Sequence, residues 1–296
     1  MKTGAGHKKS ISIRHFLFVL LFPLIVLLFG NFIGEFSTEM IDKLTNWQKG
    51  QGVWDRPLQL FINSTLVIGI AVFILWEKEK RGLTSLGLAP IKGFMGTYLR
   101  GWLIGMGLLL MVAFGVVGLG YGQIKGYGIS KLDLFPFILA ILAWAMQGAS
   151  EELIMRGYMF NDLRGKSNIS LALIISSTYF AWLHLSNNGI TPLSFINIIL
   201  AGLFFAFYYL KEGNLWGACG FHSAWNFAQE NLLGLPVSGH RIGGGSILEL
   251  KLQEQDVLIA GGLFGLEGSI VCTAVLLIGS IILWFHIKNK DLIDRR

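Results

Sequence analysis

Apolar residues in this chain do not alternate with polar ones. They gather into long, almost unbroken runs, separated by short stretches rich in Gly, Asn, Lys and Glu. Eight such runs are counted: Phe16 to Ile33, Leu58 to Trp76, Trp102 to Leu119, Leu134 to Ala149 continuing into a polar stretch, Ile169 to Leu185, Ile190 to Leu210, Leu215 to Leu232, and Ser269 to Phe285. A helix needs about 20 mostly apolar residues to cross the ~30 Å hydrocarbon core of a bilayer, and continuous runs exclude the two-residue period of an outer-membrane barrel strand. The pattern therefore predicts an all-α polytopic membrane bundle of about eight transmembrane helices. No internal repeat, Pro-rich linker or soluble appendage interrupts it, so residues 1–296 are expected to form a single integral-membrane domain.

Composition agrees. The 296 residues are 53% hydrophobic and 14% charged, with a mean hydropathy of +0.59, where a soluble domain carries about 25% charge. The first run continues through Gly30-Asn31-Phe32-Ile33-Gly34 without a convincing small-residue cleavage site, so it is expected to be a retained helix and not a signal peptide. Cys219 and Cys272 both fall inside spans, which offers neither a disulfide framework nor a cysteine zinc site. With a cytoplasmic N-terminus, the inner segments hold 17 of the 24 Lys and Arg residues. Both termini are thus expected in the cytoplasm. The net charge of +6 sits at span ends, where it can anchor to membrane lipid, and calls for no nucleic acid.

Ionisable groups at membrane depth are costly unless they face a protein interior or a wet cavity, and so they mark functional candidates. Three runs carry them. The fourth leads into Ser-Glu-Glu-Leu-Ile-Met-Arg-Gly at 150–157, with Glu151, Glu152 and Arg156; the fifth carries His184; the seventh carries His222 and Asn226. Glu152 and Arg156 are four apart, stacked on one helix face, so the guanidinium can neutralise that carboxylate, while Glu151 lies about 100° round the helix and faces another neighbour. Phe180 and His184 share the same spacing, which lets the ring wall off one side of the imidazole. His222 and Asn226 repeat it, aiming two donors at a common point as an oxyanion site requires. A turn near Arg164 to Ser167 brings Glu151 and His184 to similar depth, roughly 21 and 25 Å from it. His222 fits less well, at roughly 13 Å beyond the turn at 211–213, so either the seventh helix is displaced or the fourth-fifth hairpin protrudes.

These residues carry a resemblance. Glu-Glu-x-x-x-Arg at Glu151, Glu152 and Arg156, followed by Gly157, then Phe-x-x-x-His at Phe180 and His184, then His-x-x-x-Asn at His222 and Asn226, in that order on successive helices, resemble the motifs of the CPBP family. That family joins CAAX prenyl endopeptidases with bacteriocin-processing and self-immunity membrane proteins of the Abi type. The resemblance covers a catalytic core of about residues 130–230. It implies an intramembrane endopeptidase acting on membrane-associated peptides or proteins, of CAAX or leader-peptide type, in a cell membrane, most simply a bacterial one. Glu151 would be the base that activates water, His184 would help position it, His222 and Asn226 would stabilise the oxyanion, and Glu152, Arg156 and Phe180 would support the site.

Each motif alone has a plainer reading: a structural ion pair, a packed histidine, interhelical glue. Together, in order, they favour chemistry. His7, His15, His240 and His286 read as surface or interface residues, Glu77 to Arg81 as a solvated helix end, and the nine Trp as mostly lipid-facing or interfacial. No cofactor is expected. The alternative is a zinc ion on Glu151, His184 and His222, a His₂Glu set with an open water position; the His-Glu-x-x-His signature is absent, and a buried glutamate can act as base without metal. A transporter, or a non-catalytic immunity or scaffold protein binding a peptide in the same cavity, are the readings from other classes. The inverted repeats and broken helices of transporters are not evident.

Overall fold

The computed structural model describes residues 12–45, 55–88, 92–128, 133–253 and 255–292. A helix occurs at each of the eight apolar runs: α1 (Ile13–Thr45), α2 (Asp55–Glu79), α3 (Phe94–Gly118), α4 (Leu134–Lys166), α5 (Ile169–Trp182), α6 (Pro192–Glu212), α7 (Trp216–Phe227, continued by a π-helical turn Ala228–Leu232) and α8 (Ile270–Asn289). Six of them, α1 to α4, α6 and α8, are long and apolar enough to cross a membrane. α5 has 14 residues and α7 only 12 before its π turn, so neither meets that length. Among the described residues six helices, not eight, thus have spanning length. His7, and the basic residues Lys2, Lys8, Lys9, Arg295 and Arg296 used for orientation, lie outside the described residues.

Local chemistry sets several ends. Asp133 caps α4 by accepting from Phe135 N–H at 3.2 Å, and Asn168 caps α5 through Leu171 N–H at 2.8 Å. Thr191 and Ser194 form a reciprocal capping box before α6, with Pro192 at its first position. α4 does not stop where its apolar run stops. It passes through the polar stretch as a π-helical segment, Leu153–Phe160, whose residues are all buried, and resumes α-helical geometry from Asn161 to Lys166. Between α3 and α4 lies β1 (Gly122–Tyr127), paired antiparallel with β2 (Leu248–Leu252), with Gly122 opposite Leu252 and Tyr127 opposite Leu248.

α7 is the innermost helix: every residue from Gly217 to Phe227 is buried. Glycines allow this. A Cβ on Gly101 or Gly220 would collide with the carbonyl oxygens of Gly217 and Tyr98, so α3 and α7 pack backbone to backbone. Gly148 does the same for α4, since a Cβ there would lie 3.0 Å from Ser223 N and 3.2 Å from His222 Cβ. A sheathed helix needs no lipid-facing apolar surface, which is why α7 can carry His, Asn, Gln and Glu. The outer faces are the reverse: Leu17, Leu21, Phe29, Phe114, Ile278 and Ile282 stand exposed, as residues facing hydrocarbon do.

The depth mismatch of His222 is resolved by the second alternative. Leu215 N–H bonds Gly87 O at 2.9 Å, and a Cβ on Gly157 would touch Leu215 Cδ1 at 3.0 Å, so the α6–α7 turn lies level with Gly157. α4 extends nine residues further, to Lys166. His222 stands about 11 Å above Leu215 and Glu152 about 8 Å above Gly157, close enough to meet.

Candidate active site

The motif residues from α4, α5 and α7 gather around a cavity of about 1310 Å³. Glu151, His184, His222, Asn226 and Phe180 line it, whereas Glu152 and Arg156 stand behind it. The side chain of Glu151 is 24% exposed and that of Glu152 is 0% exposed, so consecutive glutamates face opposite environments. Behind the wall, Arg156 Nη1 donates to Glu152 Oε1 at 2.9 Å and Nη2 to Gly202 O at 3.1 Å, while its guanidinium lies 4.6 Å from the Phe180 ring centre and 5.0 Å from that of Phe205. The four-residue pairing survives the π-helical segment. Two aromatic faces supply cation-π attraction in place of water.

His222 joins the two sides. Its Nδ1 lies 3.0 Å from Glu152 Oε1 and its Nε2 lies 3.7 Å from Glu151 Oε2, and Phe205 stacks on the ring at 4.8 Å. A carboxylate accepts only, so Nδ1 carries the proton that faces Glu152 and Nε2 is the nitrogen turned to the cavity. Glu151 is held from its other side by a chain the motifs do not contain: Asn226 Nδ2 donates to Gln147 Oε1 at 2.9 Å, and Gln147 Nε2 donates to Glu151 Oε1 at 2.6 Å. Glu151 Oε2 has no hydrogen-bond partner among the described residues. Gln147 sits one turn before Glu151, and that spacing was its only signal in the sequence.

His184 is not on a helix. α5 ends at Trp182, and His184 follows in the turn, with Nδ1 2.8 Å from Phe180 O and its ring edge-on to Phe180 at 4.8 Å. The imidazole satisfies a helix-end carbonyl, which accounts for the earlier stop, and leaves Nε2 for the cavity. No hydrogen bond or ion pair joins His184 to Glu151 among the described residues; the two share the cavity's lining. Nor are any three His, Cys, Asp or Glu side chains among the described residues grouped so as to hold a metal ion.

His240 is exposed, as read, and also lines the cavity, where partial burial and the neighbouring His184 push its pKa below the usual imidazole value. Other residues read as surface or lipid-facing turn inward. His15 pairs with Asp162, which also binds Lys166 and Arg81, so Arg81 turns inward from its helix end. Trp144 and Trp225 are buried and donate to Asn231 Oδ1 at 2.8 Å and Glu267 Oε1 at 2.9 Å. Glu267 also accepts from Gln229 Nε2 and from Ser238 N and Oγ, fixing the loop that carries His240.

No curated protein and no solved structure matches the chain. Residues 133–228 match the family model described as Rce1-like, type II CAAX prenyl endopeptidase. The matched segment runs from the cap of α4 into the π turn of α7 and contains all three motifs and Gln147. Over that segment, about a third of its length, this multi-pass membrane protein is thus similar to the Rce1-like type II CAAX prenyl endopeptidases, in agreement with the CPBP resemblance of its motifs, and the match supports endopeptidase activity.

Proposed function

We propose that the chain hydrolyses peptide bonds of membrane-associated peptides or proteins with a water activated by Glu151. The observation that carries this reading is the state of that carboxylate at the cavity wall: one oxygen held by Gln147 at 2.6 Å, the other without a hydrogen-bond partner and 3.7 Å from His222 Nε2. A general base needs this combination of fixed orientation and one available lone pair. Water between Glu151 Oε2 and a bound carbonyl gives its proton to the carboxylate and attacks carbon. The C–N bond then breaks as Glu151 returns the proton to the leaving amine. The oxyanion is stabilised by the second Nδ2 hydrogen of Asn226 and by His222, whose Nε2 donates when the ring carries both protons, with Glu152 balancing that charge from behind. His184, with Nε2 toward the cavity, positions the water. No metal is invoked. The setting is a cell membrane, bacterial in origin, with both termini cytoplasmic; substrates of CAAX or leader-peptide type suit a cavity built between spans.

Glu151→Gln keeps the volume and removes the base, so hydrolysis of a peptide library by the purified protein should fall by at least ~10²-fold, with the thermal midpoint in detergent unchanged. A strong chelator should leave the wild-type rate intact, because no Lewis acid takes part. A well-folded Glu151→Gln protein with wild-type rate would remove Glu151 from the mechanism, and loss of activity to the chelator with recovery on added zinc would restore the His₂Glu alternative.

A further inference from the structure

The two ends of the bundle are built differently. At one of them the cavity is open: Glu35, Arg56, Asn188, His240 and Arg241 line it there and stand exposed. They come from the second half of α1, the start of α2, the turn between α5 and α6 and the loop after α7. The site is not far below this mouth. Asn226 lies about 9 Å along the axis from Leu232, where the π turn of α7 ends.

The other end is closed. The deepest lining residues of the cavity are Leu24 on α1, Val67 on α2, Met155 on α4, Phe205 on α6 and Phe221 on α7. Beyond them the protein is packed: every residue of the π-helical segment Leu153–Phe160 is buried, Leu163 is fully buried, and Phe22 of α1 meets Tyr158 with ring centres 4.5 Å apart. Glu151 is about 22 Å along α4 from Lys166 at this end. The closed end is also the basic one. Arg81 and Lys166 pair with Asp162, and Arg100 and Lys211 with Glu212, so ion pairs tie together the helix ends gathered here. With Lys288 and Lys290 at the end of α8, the segments on this side hold 17 of the 24 Lys and Arg residues. The basic end of a polytopic bundle faces the cytoplasm.

We propose that the active site opens to the extracytoplasmic face, so that the chain cleaves peptide segments presented outside the cytoplasm, such as exported peptides, and not segments held at the inner leaflet. This deepens, and rests on, the endopeptidase reading above, because it names the side from which the substrate comes. A peptide at the inner leaflet meets the packed segment Leu153–Phe160 between itself and Glu151. A peptide at the outer face meets an open mouth, and the hydrolytic water enters by the same route.

Sidedness can be read without turnover by replacing single surface serines with cysteine. Ser186 lines the cavity mouth and is exposed; Ser85, in the turn Leu83–Leu86 at the basic end, is exposed as well. Cys219 and Cys272 are buried, so the wild-type chain serves as the unlabelled reference. Full-length Ser186→Cys and Ser85→Cys proteins, in sealed right-side-out and inverted vesicles of a bacterial cell membrane, are treated with a membrane-impermeant maleimide. Ser186→Cys should be labelled in right-side-out vesicles alone, and Ser85→Cys in inverted vesicles alone. In a second arm, a polar peptide library that does not cross the bilayer should be hydrolysed by right-side-out vesicles of the wild-type protein, and by inverted ones only after permeabilisation. The reverse labelling pattern, either variant labelled from both sides or from neither, or hydrolysis by intact inverted vesicles would each overturn the proposal. The expected labelling without hydrolysis in either preparation would fail the endopeptidase reading and leave the outward-facing cavity standing.

Discussion

Glu151 and Glu152 are consecutive residues of one helix, yet they belong to two different regions. Behind the cavity wall, Glu152, Arg156 and the Nδ1 edge of His222 form a charge-paired set, packed between Phe180 and Phe205 and tied to the backbone at Gly202. In front of it, Glu151, Gln147, Asn226 and His184 line the cavity. Each glutamate has one oxygen without a hydrogen-bond partner among the described residues, but Glu152 is sealed from the cavity and neutralised by Arg156, whereas Glu151 lines the cavity and has no arginine beside it. On the proposed mechanism, the difference separates what holds the site from what acts in it, and it predicts which substitutions show in stability and which in rate.

The largest effect should come from the rear. Arg156→Met leaves Glu152 as a fully buried carboxylate with His222 as its remaining partner, and breaking one side of a buried pair typically costs about 3–5 kcal/mol. Thermal unfolding in detergent should show a much lower midpoint, and adding Glu152→Gln should recover part of the loss by removing the orphaned charge. If Arg156→Met melts like wild type and loses only turnover, the rear set is catalytic and the division between the regions fails.

The front should give the opposite signature. Asn226→Ala should lower kcat by about 10² to 10³ with little change in KM or melting midpoint, as loss of an oxyanion donor does. Gln147→Ala should be milder, about 10-fold, an effect the size of a misoriented general base. Gln147 acts through Glu151, so its loss should lower kcat and leave KM unchanged, and should add nothing once Glu151→Gln is present. A further loss in the double variant would reduce Gln147 to packing.

Sequence reading reached different depths in the two regions. The eight helices and the pairing of Glu152 with Arg156 follow from local spacing, and local spacing survives folding even through a π-helical segment. Gln147 was not singled out because a neutral amide in an apolar run costs less than a charge and raises no alarm. His240, Glu267 and Arg241 come from loops 80 to 120 residues from Glu151, and only tertiary contact brings them to the cavity. The stop of α5 at Trp182 is equally invisible in an apolar run that continues to Leu185. It depends on a histidine ring folding back on Phe180 O.

The smallest predicted effect sharpens the comparison at its edge, where the front region meets solvent. His240 is exposed at the cavity mouth, and partial burial together with the nearby His184 lowers its pKa. A histidine with a lowered folded pKa binds fewer protons in the folded protein than in the unfolded one, so its contribution favours folding above the unfolded value of ~6.5 and is lost as pH falls through that value toward the folded one. The melting midpoint should therefore decline between about pH 7 and pH 5, and His240→Gln should remove a small part of that decline, since the group is well solvated and its interaction with His184 is screened. The same substitution should not alter the midpoint drop caused by Arg156→Met, because distant sites with no shared partner add independently. Non-additivity between the two would mean that the mouth and the rear of the cavity are one coupled structure.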